Sequence, residues 1–196
     1  MERNIGMNIR EQKKKLRMQV KAEIEPYSQG WILEQSKIIV QHILNSTDYQ
    51  NANVIFCYVS FGKEVNTIPI LKHALKTGKR VGVPLCTGKG IMEVREIHSL
   101  KDLKSGAYGI LEPKKQTTRM EKADIDYGII PCVSADRQGR RLGHGAGFYD
   151  RYLEGAHFTK VILCFEEIMT LEVPVDEHDI EMDQVVSQTG ILTCSG

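Results

Sequence analysis

The residues best suited to chemistry run from Arg140 to Tyr152, in the order Arg-Arg-Leu-Gly-His-Gly-Ala-Gly-Phe-Tyr-Asp-Arg-Tyr. Gly143, Gly145 and Gly147 alternate, so the backbone is free to take positive φ and to bring bare N–H groups close to a ligand. The Phe148-Tyr149-Asp150-Arg151-Tyr152-Leu153 run that follows reads as a helix start. A glycine-rich turn feeding a helix N-terminus aims unsatisfied amides at an anion, and Arg140 and Arg141 add cationic charge beside it. Asp150 then stands where a carboxylate could meet a metal carried by a phosphate. The turn is not a Walker A loop, because no Gly-Lys-Ser/Thr follows, and its glycine spacing is not the dinucleotide fingerprint. A tight strand-to-helix connection with solvated arginines is the alternative reading of these residues alone.

A second candidate cluster is Lys13-Lys14-Lys15-Leu16-Arg17, inside a stretch from about Met7 to Glu25 with strong helical propensity. Lys13 and Arg17 fall on one face at i and i+4, where two cations repel unless an anion lies between them. A solvated basic face is the competing reading. The acidic tail from Val173 to Asp183 offers Asp179, whose oxygen ligands suit a hard cation such as magnesium together with Asp150. His178 reads as a hydrogen-bonding neighbour, since magnesium rarely takes imidazole.

These groups need a scaffold, and the hydrophobic pattern supplies one. Pro26 ends the first helix, and Ser28 caps a second through Trp31, Ile32, Ile38, Ile39, Ile43 and Leu44, with Trp31 as a core anchor. Val54–Val59 is an unbroken apolar run of strand length, the mark of a parallel strand covered on both faces. Thr67 is placed to cap a helix through Ile70, Leu71 and Leu75, Gly78 ends it, and Lys79–Leu85 gives the next strand. Met92–Ile97 alternates as a one-faced strand, and Tyr127–Ile130 and Val161–Phe165 supply two more buried ones. Five strands separated by helices predict a single α/β domain over residues 1–196, a three-layer α/β/α fold with a mostly parallel central sheet. Ligands gather at the carboxyl ends of such strands. The loops Ser60–Asn66 and Pro131–Asp150 both begin there, so topology alone sends them to one crevice. Leu100–Glu121 reads as a polar connection without chemistry.

Composition narrows the function. The 196 residues, 41% hydrophobic and 26% charged, suffice for one core. A net charge of +1 argues against general nucleic-acid binding, which needs a concentrated basic excess. Cys57, Cys86, Cys132, Cys164 and Cys194 form no CxxC pair, so reduced thiols in a cytoplasmic protein are the expectation. No apolar run approaches the ~18 residues of a membrane span, and the first residues lack a signal-peptide core.

The glycine turn with its lead-in, Asp126 to Asp150, resembles the 5-formyltetrahydrofolate cyclo-ligase family, whose pattern is an apolar strand, a proline and D-x-x-G-x-R-L-G-x-G-x-G-[YF]-Y-D. Asp136, Gly139, Arg141, Leu142, Gly143, Gly145, Gly147, Phe148, Tyr149 and Asp150 all match. The family's N-terminal K-x-x-x-R is matched by Lys13 and Arg17, and its late His-Asp by His178-Asp179. The resemblance implies ATP-dependent closure of 5-formyltetrahydrofolate to 5,10-methenyltetrahydrofolate, with ATP and Mg2+ required and a reduced folate as substrate. It implies a nucleotide site made by Lys13, Lys14, Lys15, Leu16, Arg17, Arg141, Leu142, Gly143, His144, Gly145, Ala146, Gly147, Phe148 and Tyr149, with Lys13 and Arg141 catalytic. Phe61, Asn66, His144, Gly145, Ala146, Gly147 and Phe148 would contact the folate, with Tyr149 in the same wall. Asp150 and Asp179 would hold the metal, in a monomer without nucleic-acid or membrane partners.

Three positions depart from the pattern: Asn66 stands where the family commonly has an acid before the threonine, Cys132 where a glycine is common, and the region of Ile168 lacks a frequent glutamine. Two other classes share parts of this pattern. A sugar-phosphate isomerase on a similar fold would use a phosphate cradle without nucleotide, and a non-catalytic folate- or nucleotide-binding paralogue would keep the turn without turnover.

Overall fold

The longest apolar runs become the middle of one sheet. In the computed structural model, which describes residues 8–106 and 109–194, β1 (Val54–Cys57), β7 (Tyr127–Ile130) and β10 (Thr159–Leu163) lie side by side in parallel. Every residue of β1 and β7 is buried, so both faces of the sheet are covered there. β2 (Arg80–Gly88) and β11 (Gln184–Ser187) extend the parallel set on either side. Three antiparallel strands finish the edges: β3 (Ile91–Ile97) and β6 (Thr118–Met120) beyond β2, and β12 (Gly190–Thr193) beyond β11. The order across the sheet is β12-β11-β10-β7-β1-β2-β3-β6. Short hairpins pair β4 (Leu103–Ser105) with β5 (Leu111–Pro113), and β8 (Ser134–Ala135) with β9 (Arg141–Leu142).

The helices flank this sheet because their apolar residues repeat on one face. α1 (Ile9–Ile24) opens with a capping box between Asn8 and Glu11 and buries Val20 and Ile24. α2 (Gln29–Asn45) is capped by Ser28, whose Oγ accepts from the Trp31 amide, and buries Ile32, Ile39 and Ile43. Each such side chain removed from water contributes roughly 1.5–3 kcal/mol. Trp31 is the expected anchor, packed between Tyr27 and Phe165 with ring centroids at 4.0 and 5.1 Å. After the short α3 (Thr47–Asn51), α4 (Ile68–Lys76) completes the parallel β1-α4-β2 crossover. α5 (Phe148–Leu153) follows the glycine turn.

The three-layer expectation holds, with corrections to its parts. The sheet has eight strands where the pattern shows five. β6 is a three-residue polar edge, and β11 sets only two valines between Gln184 and Ser187, too short a run for periodicity to register. The predicted connection Leu100–Glu121 thus contains two β strands of a hairpin and one of the main sheet. Thr67 does not cap α4: its hydroxyl donates to the Tyr58 carbonyl at 2.7 Å and accepts from the Ser60 amide at 3.1 Å. Asn66 Oδ1 takes the Ile68 amide instead, at 3.1 Å. Among the described residues no helix is long and apolar enough to cross a membrane.

Candidate active site

At the carboxyl ends of the parallel strands lies a cavity of about 810 Å³ with three walls. α1 supplies Arg10, Lys13 and Arg17, spaced at three and four residues so that all share one helix face. The loop after β7 supplies Pro131, Arg141 and the glycine turn, and α5 adds Phe148, Tyr149, Asp150 and Arg151. The tail from Asp176 to Ile180 closes the third side.

Each glycine of the turn makes room for an arginine. A Cβ on Gly143 would stand 2.7 Å from Arg141 Nη1, one on Gly145 3.3 Å from Arg17 Cζ, and one on Gly147 2.8 Å from Arg151 Nη1. Gly145 and Gly147 also sit at φ +96° and +66°, where only glycine is unstrained; Gly143 does not, so its role is close approach alone. Arg17 Nε donates to the Gly143 carbonyl at 2.7 Å, which ties α1 to the turn. Burial lowers the Arg17 pKa, opposed by the charge of Asp179.

Arg141 is the most enclosed of these cations, 7% exposed. Its Nη1 donates to the Pro131 carbonyl at 3.2 Å and its Nη2 to Asp150 Oδ1 at 2.7 Å. The guanidinium lies 5.8 Å from the Tyr149 ring centroid, a cation–π distance, and that ring stacks on Phe56 at 6.2 Å. Burial, then the charge of Glu64, pushes the Tyr149 hydroxyl far above its ordinary pKa, so it stays a neutral donor. Arg141 Nε is buried with no hydrogen-bond partner among the described residues. A buried unmet donor on a cation is costly, and an anion in the cavity would satisfy it.

Lys13 faces the tail: its ammonium donates to Asp176 Oδ2 at 2.9 Å and to Asp179 Oδ2. Asp179 Oδ2 also accepts from the Asp176 amide at 2.7 Å. The Lys13 bond, then the His178 amide, holds Asp176 below the usual carboxylate range. Lys13, Arg17, Arg141, the segment Gly143–Tyr149, Asp150 and Asp179 are therefore brought to one cavity, as expected from the sequence.

Other predicted residues are not. Lys14 and Lys15 project from the outer face of α1 and line a separate shallow groove with Met18, because a helix carries i+1 and i+2 away from the i, i+4 face. Leu16 packs against the core, and Leu142 is wholly buried. Arg140, expected beside the anion, instead pairs with buried Asp136 at 2.6 Å and reaches Glu172. Phe61, 48% exposed, lies by Gly109 and does not line the cavity. Asn66 spends its Oδ1 on the Ile68 amide and the Ser60 hydroxyl, and its backbone N–H donates to Ser36 Oγ at 2.9 Å. That is the cap arrangement, and it leaves this oxygen turned into its own loop.

The sequence reading missed Arg10, Arg151, Asp176 and Glu64. Arg151 donates to the Ala146 and Gly90 carbonyls at 2.6 and 2.9 Å. Glu64 receives His144 Nε2 at 3.2 Å and the Phe61 amide at 2.9 Å, so it joins the Ser60–Asn66 loop to the glycine turn. The two loops touch through this contact, but no residue of Ser60–Asn66 lines the cavity, so of the two only the later loop builds the expected crevice. The i+3 spacing of Arg10 to Lys13 was visible in the sequence; the tail acids carry no local signature.

Among the described residues no group of three or more His, Cys, Asp or Glu side chains forms a metal cage. The donor set of Asp150 and Asp179 is still of the right type for magnesium, which takes one or two carboxylates and completes its shell with waters and substrate phosphates. Five cations and five carboxylates line the cavity. A polyphosphate carrying a divalent ion presents both signs, and such a ligand suits a wall of this kind.

A parallel α/β sheet with a glycine turn, clustered arginines and acidic residues at its strand ends places this chain among α/β proteins with an anion-binding crevice. A family model described as the 5-formyltetrahydrofolate cyclo-ligase family matches residues 9–188, and the chain belongs to that family. The 5-formyltetrahydrofolate cyclo-ligase of Saccharomyces cerevisiae is 33% identical over 207 residues, covering 92% of this chain and 97% of its own. The Mus musculus 5-formyltetrahydrofolate cyclo-ligase is 28% identical over 195 residues, covering 92% and 96%. The solved structure of Aquifex aeolicus 5,10-methenyltetrahydrofolate synthetase superposes with a TM-score of 0.84 at 26% identity, over 94% of this chain and 93% of that one. None of these relatives supports the isomerase or the non-catalytic reading.

Proposed function

We propose that the protein converts 5-formyltetrahydrofolate to 5,10-methenyltetrahydrofolate at the expense of ATP, releasing ADP and phosphate. The observation that carries the reading is the triple pairing of Gly143, Gly145 and Gly147 with Arg141, Arg17 and Arg151 around the unmet Arg141 Nε. Such a constellation is made for oxygens of a phosphoryl group.

A formyl amide carbon is a weak electrophile and its oxygen a poor leaving group. Attack of that oxygen on the γ-phosphorus, with the bond to ADP breaking, turns it into a phosphate ester. The neighbouring amine then adds to the carbon, the ring closes and inorganic phosphate departs. The chain's share is positioning and charge neutralisation. Arg10, Lys13 and Arg17 hold the triphosphate along the α1 face. Arg141 and the amides from Gly143 to Gly147 hold the oxygens of the transferring group, and Asp150 keeps the Arg141 guanidinium aimed. Asp150 and Asp179 would hold magnesium, which supplies charge neutralisation on the phosphates when bound. Phe148, Tyr149 and His144 face the same space and offer a flat wall for the pterin.

The five thiols, none in a disulfide, suit a reducing compartment and so a cytoplasmic enzyme. Growth of methenyl absorbance with 5-formyltetrahydrofolate, assayed with and without ATP and magnesium, tests the proposal. Folded protein that forms no product with both present would refute it.

A further inference from the structure

β7 and β10 run parallel with Ile129 opposite Val161 and Ile130 opposite Ile162. Continuing that register by two residues sets Cys132 beside Cys164. In parallel strands, residues at one register position point to the same face, and strand spacing of about 4.8 Å falls within the Cα separation a disulfide spans. The two thiols are near enough for Cys132 to raise the Cys164 pKa, and the Cys164 thiol itself donates to the Phe165 carbonyl at 3.5 Å. Cys132 Sγ also donates to the Leu163 carbonyl at 3.3 Å, one residue before its partner. Cys132 is half-buried while Cys164 is 1% exposed, so an oxidant from solvent reaches Cys132 first.

We propose that Cys132 and Cys164 form a peroxide-sensitive thiol pair next to Pro131 of the cavity wall, and that their disulfide slows turnover. Hydrogen peroxide transfers one oxygen to Cys132, giving a sulfenic acid and one water. The Cys164 sulfur then attacks the Cys132 sulfur, the S–S bond forms, the S–O bond breaks, and the hydroxyl leaves as a second water with the Cys164 proton. A thiol or thioredoxin-type dithiol reverses the step by exchange. The link acts on catalysis through Pro131, the residue before Cys132, whose carbonyl anchors Arg141 Nη1 at 3.2 Å. Drawing the sulfurs to a bond of about 2 Å takes the Cys132 thiol off the Leu163 carbonyl and moves that anchor. The effect on turnover rests on the cyclo-ligase reading; formation of the bond does not.

The test treats full-length protein with hydrogen peroxide, alkylates remaining thiols, and maps peptides by mass. A Cys132–Cys164 linked peptide is expected, lighter by two hydrogens, with exposed Cys86 as the control for oxidant reach. Turnover should fall between about tenfold and a hundredfold, the usual cost of a misplaced catalytic group, and dithiothreitol should restore it. Cys132→Ser, folded by circular dichroism, should keep full activity and lose the sensitivity. Alkylation of both thiols after Cys86 has oxidised, a link to any other cysteine, or a linked enzyme of unchanged rate would overturn the proposal. Reduced, folded protein with no cyclo-ligase activity would instead refute the functional reading, while the linked peptide still decides the pair.

Discussion

Gly143→Ala isolates the reason for the glycine turn, because it adds one methyl group without changing charge or demanding a forbidden φ. The new Cβ would lie 2.7 Å from Arg141 Nη1, whereas ordinary contact begins at 3.4 Å. The guanidinium therefore has to retreat by about 0.7 Å, yet it is held by Pro131 and Asp150 at 3.2 and 2.7 Å. Overpacking of this kind costs about 1–3 kcal/mol of stability. Losing one charge-assisted bond to the transferring group costs roughly 1.5–3 kcal/mol in the transition state. That corresponds to about a tenfold to hundredfold drop in kcat/KM. Gly78→Ala is the control: at φ +77° with nothing within 4 Å it is strained, and it precedes β2 at the end of the sheet away from the cavity, so it should lower Tm and leave kcat/KM alone. Steady-state methenyl formation and thermal melts on both variants decide the matter. If Gly143→Ala turns over within about twofold of the parent, far under that estimate, the turn does not exist to seat Arg141.

Asp150→Asn keeps the shape but strips the partner of a buried cation, so turnover should collapse and Tm should fall, by roughly 3 kcal/mol for a pair this enclosed; near-parental kinetics at saturating magnesium would remove Asp150 from the site. Lys13→Ala and Arg17→Ala should raise the KM for ATP far more than that for folate, by about 1.5–3 kcal/mol each, and Arg17→Ala should also lower Tm because it frees the Gly143 carbonyl. Lys14→Ala and Lys15→Ala should change neither constant, and a shift in ATP KM from either would contradict the helix-face argument. Asn66→Ala should cost about 1 kcal/mol of stability through the lost cap with folate KM unchanged; a raised folate KM would return Asn66 to the substrate wall. The Asp176 carboxylate, lowered by Lys13, contributes stability that is present above its unfolded pKa of about 3.9 and is lost as pH falls through its lower folded value. The pair is solvent-screened and worth less than about 1 kcal/mol, so NMR titration of Asp176 in Lys13→Ala, where the value should move back up, is the sensitive readout.

The sequence by itself determined what local rules govern. Apolar runs at Val54, Tyr127 and Val161 fixed the buried parallel strands, Ser28 fixed a helix start, and i, i+4 spacing fixed the shared face of Lys13 and Arg17. Strand-end topology was enough to bring the Ser60–Asn66 loop beside the glycine turn, where Glu64 meets His144, although none of Ser60–Asn66 lines the cavity, and motif matching was enough to reach the family. Only the tertiary structure decided which charged groups face the cavity. Arg140 and Arg141 are adjacent and chemically alike. Yet neighbouring residues of an extended strand point to opposite sides, so one pairs with Asp136 while the other enters the site. Asn66 could have met the pterin or capped a helix; the position of the Ile68 amide, set by how α4 packs, settled it. Asp176, Glu64 and Arg151 were invisible because their roles arise from contacts across long stretches of chain, and no periodicity records a partner 163 residues away, as Asp176 is from Lys13.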